Sequence, residues 1–528
     1  MGNTTNSDLM RQSGVALAGA IARGEVSAAE AVEASIARIE QVNPALNAVV
    51  VKRYAEARAE ARAEARDADE RRARGEPLGP LHGVPVTIKE ALDLAGTSAT
   101  YGLPSRANVL ATQDDVYVAR LRAAGAIIVG KTNVSQLLLY IESDNPLYGR
   151  ANNPWNLERT PGGSSGGQAA IIAAGGAPLG LATDIGGSIR VPATFCGVAG
   201  MKPTAGRTPD FADFGVPLGE RAVVSQVGAM ARHVEDVALT VELLNGGRAP
   251  NVEPPMPLGD YTTVDVSRLR VAYYTDDGSL PVAASVRRAV VEAAGMLAGR
   301  GAQVVEWRPP DVAEAQRIFF GALGGDGGRG AKRLLGKNKR DPRIASLVTL
   351  ATAPRPVLAA LGGALWLGGQ RNIPRLLRYF GHTDTAYYWA LVEAQAAYQR
   401  RFADALDRDD GGPFDIIICP ACALPALPHG ASQDLVTAGA YATLYNVLGY
   451  PTGVVPVTRV RPDEEQPRKS ALDSMVRAAR RTEIGSAGLP IGVQVVARPW
   501  REHIALAAMR AIEADASARS DYPTQAPM

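Results

Sequence analysis

The sequence predicts an α/β fold in which a large sheet is buried under helices. From residue 81 onward, short runs that are apolar on both faces alternate with helical segments, and such strands occur where helices cover a sheet. With 46% hydrophobic and 21% charged residues, the 528-residue chain can bury a sizeable core. The predicted strands span residues 84–88, 126–129, 178–183, 269–274, 416–418, 453–457 and 492–497.

Residues 1–75 are predicted to form helices at the periphery of this core. The first 45 residues hold two amphipathic helices, and Ser27 with Glu30 has the pattern of a capping box at the start of the second. Residues 55–66 repeat AEAR three times, a strong helix former with closely spaced opposite charges. A helix of this kind is typical of a solvated face.

The composition excludes several classes of protein. Lys and Arg total 56 against 54 Asp and Glu, so no global field favours a nucleic-acid partner. The first eleven residues are polar with no signal-peptide pattern after them, and no run of about 18 apolar residues predicts a spanning helix. Three cysteines suit a reducing compartment. We therefore expect a cytoplasmic protein.

Two glycine-rich loops in residues 162–190 carry the strongest chemical signal. The segment reads GGSSGGQAAIIAAGGAPLGLATDIGGSIR, and it places Ser164 and Ser188 in separate loops joined by one short helix and one apolar strand. Dense glycines let a backbone approach a substrate closely and turn its NH groups toward developing negative charge. Ser188, which ends the run DIGGS, is therefore a candidate nucleophile with an oxyanion hole beside it.

A lysine in an apolar segment is the candidate base. Lys89 ends the run GVPVTIK on a predicted strand. A serine that attacks a carbonyl group must be activated by a base, and a poor leaving group must be protonated as it departs. A lysine can alternate between those roles only if it starts neutral, and full burial lowers lysine pKa values by up to ~3–5 units.

Five segments together resemble the amidase signature family, whose members hydrolyse amides. In chain order they read GVPVTIKE, GGSSGG, TDIGGSIR, GVAGMKPT and GLPIGVQVVARPW. Because they extend from residue 83 to residue 500, the resemblance covers nearly the whole chain, and we expect one domain over residues 1–528. The segments LYNVLGYPTGVVPVTRV and SDNPLYGRANNPW look most like the fatty acid amide hydrolase branch of that family.

The resemblance implies a fold and a catalytic triad. The fold is a large, mixed, twisted sheet of about eleven strands with helices on both faces. In the triad, Lys89 is the base, Ser188 is the nucleophile, and Ser164, held by a cis peptide bond, passes protons between them. The resemblance implies no cofactor and no metal ion.

The surroundings of the triad are predicted as well. Ser165 is expected to help orient the lysine as a hydrogen-bond partner from outside the triad. Asp184 and Arg190 flank the nucleophile, and we expect them to hold its loop in place rather than to react. The predicted oxyanion hole consists of the backbone NH groups of Ile185, Gly186, Gly187 and Ser188.

The substrate pocket is less clearly encoded. Leu138, Leu139 and Ile141 lie in an apolar run just before SDNPLYG. In the branch that the chain resembles, the matching positions line an acyl channel, but the same residues suit the core of a helix equally well. Phe195 and residues 454–455 are further candidates for this wall.

A second apolar stretch, residues 356–369, is followed by Arg371, Arg375 and Arg378. Fourteen residues are too few to cross a bilayer, and an apolar patch beside basic residues suits an interfacial helix. The resemblance implies a hydrophobic cap, within residues 351–385, through which lipid substrates enter from a membrane. A buried helix or a homodimer contact accounts for the same pattern, and a homodimer is the expected assembly.

The leading hypothesis is a serine amidase of fatty acyl amides, and two alternatives stay open. One is an amidase of small aliphatic or aryl amides, and the other is an ammonia-supplying subunit of a tRNA-linked amidotransferase.

Two further sequence patterns predict a function less strongly. Residues 162–166 match the GxSxG elbow of α/β-hydrolases but follow a polar segment rather than a strand. Cys419 and Cys422 match CxxC, but the prolines that follow leave no room for the helix of a redox pair.

Overall fold

A computed structural model describes residues 9–210, 220–246, 254–381 and 383–528, so residues 1–8 of the predicted N-terminal segment lie outside the described part. Eleven strands of this part form a single sheet. They are β1 (Val49–Lys52), β2 (Pro85–Lys89), β3 (Ile127–Thr132), β4 (Leu179–Asp184), β5 (Ala199–Lys202), β6 (Gln226–Ala231), β7 (Arg270–Tyr273), β8 (Gln303–Glu306), β9 (Ile416–Pro420), β10 (Thr452–Arg459) and β11 (Pro490–Ala497).

Seventeen α-helices accompany the sheet in the same ranges. They are α1 (Gly14–Arg23), α2 (Ala28–Leu46), α3 (Tyr54–Arg74), α4 (Val116–Ala123), α5 (Gly166–Ala173), α6 (Arg190–Cys196), α7 (Val234–Leu244), α8 (Ala284–Gly299), α9 (Val312–Leu323), α10 (Arg329–Leu335), α11 (Pro342–Thr352), α12 (Arg355–Leu367), α13 (Asn372–Leu377), α14 (Thr385–Asp407), α15 (Ala440–Leu448), α16 (Ser474–Glu483) and α17 (Glu502–Ser517).

The sheet is mixed, and its strand order is β1-β3-β2-β4-β6-β5-β10-β11-β9-β7-β8. Strands β3, β2 and β4 run parallel, as do β9, β7 and β8, while the other neighbours pair antiparallel. The predicted α/β fold with about eleven strands is confirmed, and all seven strands predicted from apolar runs are present. The sequence did not predict four strands. Three of them, β1, β5 and β8, are only four residues long, and β5 (AGMK) and β6 (QVGAMA) contain few β-branched residues.

Helices cover the sheet on both faces. Alternate side chains of one strand point to opposite faces, and they join different apolar clusters. Ile128 and Val455 belong to a cluster that also holds residues of α7, α8 and α17. Their neighbours Ile127 and Val454 belong to a second cluster with residues of α2 and α5. The strands read as continuous apolar runs because both faces are buried.

The N-terminal helices are anchored by side chains that cap them. Ser27 and Glu30 form the predicted capping box at the start of α2, since each side chain accepts a hydrogen bond from the other residue's backbone NH. The NH groups of Gly14 and Val15, at the start of α1, donate to the Asp236 carboxylate on α7 at 2.8 and 2.9 Å.

The three cysteines are buried free thiols. Burial raises the pKa of Cys419 to about 11 and that of Cys422 to about 12. A redox pair needs a thiol with a lowered pKa, so the CxxC spacing has no redox meaning here.

In the described part of the chain, no single helix is both long and apolar enough to cross a membrane. Helices α11 and α12 meet the length and composition requirements only when they are counted together, and the chain bends by 113° between them.

Two adjacent parallel strands determine where the candidate site lies. Strands β2 and β4 pair in register, with Ile88 opposite Leu181. Because parallel strands end at the same edge of a sheet, Lys89 at the end of β2 comes next to Thr183 at the end of β4. Ligands of open α/β sheets bind outside this edge.

Candidate active site

Lys89 is fully buried and lies among hydroxyl groups. Its Nζ is 2.8 Å from Ser164 Oγ and 2.8 Å from Thr183 Oγ1, with the Thr183 carbonyl oxygen at 3.4 Å. A hydroxyl accepts a hydrogen bond from an ammonium and donates one to a neutral amine. The link between Lys89 and Ser164 can therefore persist in both protonation states of the lysine.

Burial lowers the pKa of Lys89 to about 7. The negative charges of Asp210, Asp184 and Glu90 act in the opposite direction, but desolvation is the larger effect. At neutral pH, a large share of the protein therefore carries a neutral amine at this position.

The loop that carries Ser164 is packed tightly against the chain at residues 140–143. The peptide bond between Gly163 and Ser164 is cis. Ser143 Oγ accepts a hydrogen bond from Gly166 NH at 2.8 Å and donates to the Ser164 carbonyl at 3.3 Å. A Cβ atom on Gly163 would lie 2.5 Å from the backbone nitrogen of Glu142, so only glycine fits there.

Ser165 lies beside the lysine and shares a contact with it. Its hydroxyl donates to the Thr183 carbonyl at 3.4 Å, an oxygen that Lys89 Nζ reaches at the same distance. The neighbouring hydroxyl that contacts the amine besides Ser164 is that of Thr183, which the sequence analysis missed. Ser165 therefore affects the lysine through a shared carbonyl. The available signal was the position of Thr183 beside Asp184 in TDIGGSIR.

Ser188 lies in a tight turn between β4 and α6. The turn passes through Gly187 at φ +109°, a conformation that favours glycine. Ser188 is 9% exposed, and Ile185 and Gly186 are half-buried. The turn is thus the point where this edge of the sheet approaches open space.

Asp184 holds the turn together. Its carboxylate accepts hydrogen bonds from Gly187 NH at 2.8 Å and Ile189 NH at 3.1 Å, and it forms a fully buried ion pair with Arg190. Burial alone would raise the pKa of Asp184, but the Arg190 charge and these bonds outweigh it and hold that pKa well below its usual range.

The same carboxylate changes the predicted oxyanion hole. Because Gly187 NH already donates to Asp184, Gly187 is not a free donor for a substrate. The NH groups of Ile185, Gly186 and Ser188 stay as candidates.

Arg190 uses all five of its N–H groups. Two bind Asp184, two bind the Ala442 carbonyl and Gln494 Oε1 at 2.8 and 2.7 Å, and one binds Asn446 Oδ1 at 2.5 Å. Gln494 lies on β11 and Asn446 on α15, so distant segments fix the arginine that fixes the turn. Both segments carry family motifs, but no local pattern predicted a role for these two side chains.

Residues 137–141, here called the leucine wall, adjoin the Ser164 loop. Leu138 and Leu139 are half-buried and pack on an apolar cluster with residues of α10 and α11, and Ile141 packs on the main core. The segment is not a regular α-helix, because it contains only a short turn, Gln136–Leu138, with positive φ angles. The core packing of the alternative holds for Leu137, which is buried in the same cluster. Phe195 and residues 454–455 are fully buried in the core and do not extend this wall.

An aromatic path that the sequence analysis missed connects the Ser188 turn to the cap. A Cβ atom on Gly186 would lie 2.7 Å from the Phe319 ring, so this ring of α9 packs directly on the turn. Phe319 contacts Phe320, whose ring centroid is 5.4 Å from that of Phe380 and 6.1 Å from that of Tyr379. The path was hidden because residues 318–323 match no motif.

Helix α12 is not a buried helix, which removes one of the three explanations for its apolar sequence. Only Leu358 and Gly362 are buried in it. Large apolar side chains on its outer face are exposed, namely Val357 at 57%, Leu361 at 46%, Trp366 at 53% and Leu367 at 82%.

Within the described ranges, one group of three acidic and histidine side chains is close enough to share a metal ion, namely Glu64, Asp67 and His82. His82 Nδ1 lies 3.1 Å from Glu64 Oε2, an ordinary pairing. The group precedes β2, at the end opposite Lys89, and so lies apart from the candidate site.

Comparison with known proteins agrees with the motifs. A family model described as Amidase matches residues 30–506. The chain belongs to the amidase signature family. Fatty-acid amide hydrolase 1 of Sus scrofa is 34% identical over 459 residues, which are 85% of this chain and 78% of that protein. Indoleacetamide hydrolase of Bradyrhizobium diazoefficiens is 32% identical over 522 residues, 95% of this chain and 86% of that protein.

A solved structure of fatty acid amide hydrolase matches this amidase with a TM-score of 0.80 and 25% identity, over 96% of this chain and 86% of that chain. This protein is therefore an amide hydrolase with the amidase signature fold.

The lowered pKa of Lys89 predicts how hydrolysis by this amidase depends on pH. A neutral amine can accept a proton and an ammonium cannot, so kcat/KM should rise with pH through an apparent pKa of about 7. Lys202 supplies the control, because burial also lowers its pKa to about 7 while its Nζ donates to Pro203. The measurement is the pH profile of the wild type, K89M and K202M. A wild-type pKa near the ~10.4 of free lysine, or a profile abolished by K202M, contradicts the assignment.

The same shift links pH to stability. The unfolded chain binds a proton on Lys89 that the folded chain lacks between about pH 7 and pH 10.5, so this residue raises the free energy of unfolding as the pH rises through that window. K89M should lack this contribution.

Proposed function

We propose that this amidase acts through Ser188 as nucleophile, Ser164 as proton relay and Lys89 as base. The single observation that carries the proposal is the 2.8 Å contact between a buried lysine amine and Ser164 Oγ. A serine hydroxyl can donate its own proton to the amine while it accepts one from a second serine. Ser164 thereby connects Lys89 to a nucleophile that the lysine need not touch.

The reaction follows from these roles. Ser188 Oγ attacks the amide carbon, its proton moves to Ser164, and the Ser164 proton moves to Lys89. The NH groups of Ile185, Gly186 and Ser188 stabilise the oxyanion that forms. The proton then returns through Ser164 to the leaving nitrogen, the C–N bond breaks, and an acyl group stays on Ser188. Water attacks this ester with the same relay, and the carboxylic acid leaves.

We further propose a fatty acyl amide as the substrate. The aromatic path from Gly186 through Phe319 and Phe320 to Phe380 supports this choice, because it is a continuous series of apolar contacts between the Ser188 turn and the cap. The similarity to fatty-acid amide hydrolase 1 supports it as well. A second candidate is a small aryl amide, which the similarity to an indoleacetamide hydrolase favours.

The exposed face of α12 is proposed as the entrance for lipids. Three exposed arginines follow this face, and Arg371 places its guanidinium 4.4 Å from the Trp366 ring centre. Apolar side chains beside basic groups suit the surface of an anionic membrane. On the inner side, Leu358 packs with Phe380 and Phe320, so α12 joins the surface to the aromatic path. A homodimer contact through the same face is the competing assignment.

Labelling and a substrate panel test the proposed function. A fluorophosphonate should modify Ser188 in the wild type and should not modify S188A, because only the activated nucleophile reacts. The purified protein should hydrolyse oleamide faster than an aryl anilide or glutamine. Modification at Ser164 or Ser165 contradicts the assigned roles, and preference for the anilide selects the second candidate.

Liposome binding tests the proposed entrance. The double variant W366S/L367S should bind anionic vesicles more weakly and lose activity on long-chain amides more than on short ones, since each buried CH₂ contributes ~0.8 kcal/mol. L110S, at another exposed leucine, should keep both properties. If the double variant instead splits a dimer and keeps the wild-type chain-length preference, α12 is a protein interface.

A further inference from the structure

The leucine wall has an unusual backbone. Leu137 and Leu138 adopt φ angles of 52° and 60°. Side chains with a Cβ rarely take this left-handed conformation, and it persists only where neighbouring structure imposes it. Some contact must therefore hold the wall in shape.

The segment before α11 holds one end of the wall. Gln136, directly before Leu137, donates from Nε2 to the Lys339 carbonyl at 2.9 Å and accepts at Oε1 from Asp341 NH at 2.9 Å. The glutamine is fully buried, and both of its bonds lead to the same three-residue stretch. The start of the wall is thereby fixed to the chain that enters α11.

Arg343, in the first turn of α11, holds the other end. Its buried guanidinium donates to Glu142 at 2.9 Å, to Asp144 at 2.7 Å and to both oxygens of Asp341 at 2.6 and 2.7 Å. It also lies 4.5 Å from the ring centre of Tyr140. The planar guanidinium of Arg343 thus binds the residues that follow the leucines, and the fork of N–H groups that it uses is absent from lysine.

Glu142 connects this arrangement to the catalytic loop. Its carboxylate also accepts hydrogen bonds from Gly430 NH and Ser432 NH at 2.8 and 2.9 Å. Its backbone nitrogen lies against Gly163, beside Ser164. The wall is therefore fixed on one side to α11 and on the other to the loop that carries the relay serine.

We propose that the leucine wall, which lies against the Ser164 loop, borders the bound acyl chain, and that Arg343 is a positioning residue that sets acyl-chain specificity by fixing the shape of this wall. The inference rests on the proposed fatty acyl substrate. Arg343 does not touch the reacting atoms. It fixes the shape of the surface that Leu138 and Leu139 present, and because α11 leads directly into α12, it also joins that surface to the exposed cap.

Two variants test this role by different routes. R343K keeps the charge but loses the fork, whereas Q136M removes both hydrogen bonds at the other end of the wall without changing any charge. Each should reduce the ratio of kcat/KM for a long-chain amide to that for a short-chain amide by about tenfold, equivalent to lost contact with about two methylene groups. The loss should appear as a higher KM for the long chain, and fluorophosphonate labelling of Ser188 should keep its rate.

The matched control is R355K. Arg355 is another cap arginine, and its guanidinium packs on the Tyr387 ring, at 3.9 Å from the ring centre, rather than on the wall. Its variant should keep the wild-type ratio. Circular dichroism and the midpoint of thermal unfolding establish that each variant is folded.

The outcomes separate the two proposals. If folded R343K or folded Q136M keeps the wild-type ratio, Arg343 does not set specificity and the inference is overturned. Equal losses on both substrates together with slower labelling indicate a purely structural role and overturn it as well. If the wild type itself shows no preference for long chains, the proposed substrate class fails, and the inference falls with it.

Discussion

The site depends on one amine that is kept out of water. Lys89 is fully buried, and its amine meets the hydroxyls of Ser164 and Thr183. A carboxylate in contact with the amine would stabilise its protonated form, whereas hydroxyl groups carry no charge. Desolvation is therefore the largest influence on the pKa of Lys89 and lowers it to about 7. This arrangement requires the parallel pair of β2 and β4, whose ends meet at one edge of the sheet, and it requires a glycine-rich loop thin enough to bring Ser164 to that edge.

A neighbouring acid, Asp184, has the opposite state for a related reason. Asp184 is as deeply buried as Lys89, but its ion pair with Arg190 and two backbone NH groups keep it ionised. Arg190 in turn donates hydrogen bonds to the side-chain oxygens of Asn446 and Gln494, which lie 256 and 304 residues further along the chain. The site thus contains two buried titratable groups with different roles. The surroundings of Lys89 favour its neutral form, which can act as a base, whereas those of Asp184 favour its charged form, which holds the turn.

The sequence predicted the parts of this structure that local patterns encode. Strands with β-branched residues on both faces and the capping box at Ser27 follow from spacing alone, and the residues around Lys89, Ser164 and Ser188 stand in recognisable glycine-rich or apolar runs. The short strands β5 and β6 were missed because AGMK and QVGAMA lack such residues. Thr183, Gln494 and Phe319 were missed because their roles arise only when distant segments pack together. Exposure of α12 likewise depends on its neighbours and not on its composition.

The central claim is that the Lys89 amine loses its proton near pH 7 rather than near the pH at which an exposed lysine does. NMR titration of the protein with ¹³C at lysine Cε measures this directly, with K89M to assign the Lys89 resonance and with K131M and K202M to assign those of the two other buried lysines. The account predicts a Lys89 midpoint of about 7. A midpoint near the ~10.4 of an exposed lysine would show that the amine is protonated at neutral pH, and it would contradict the account.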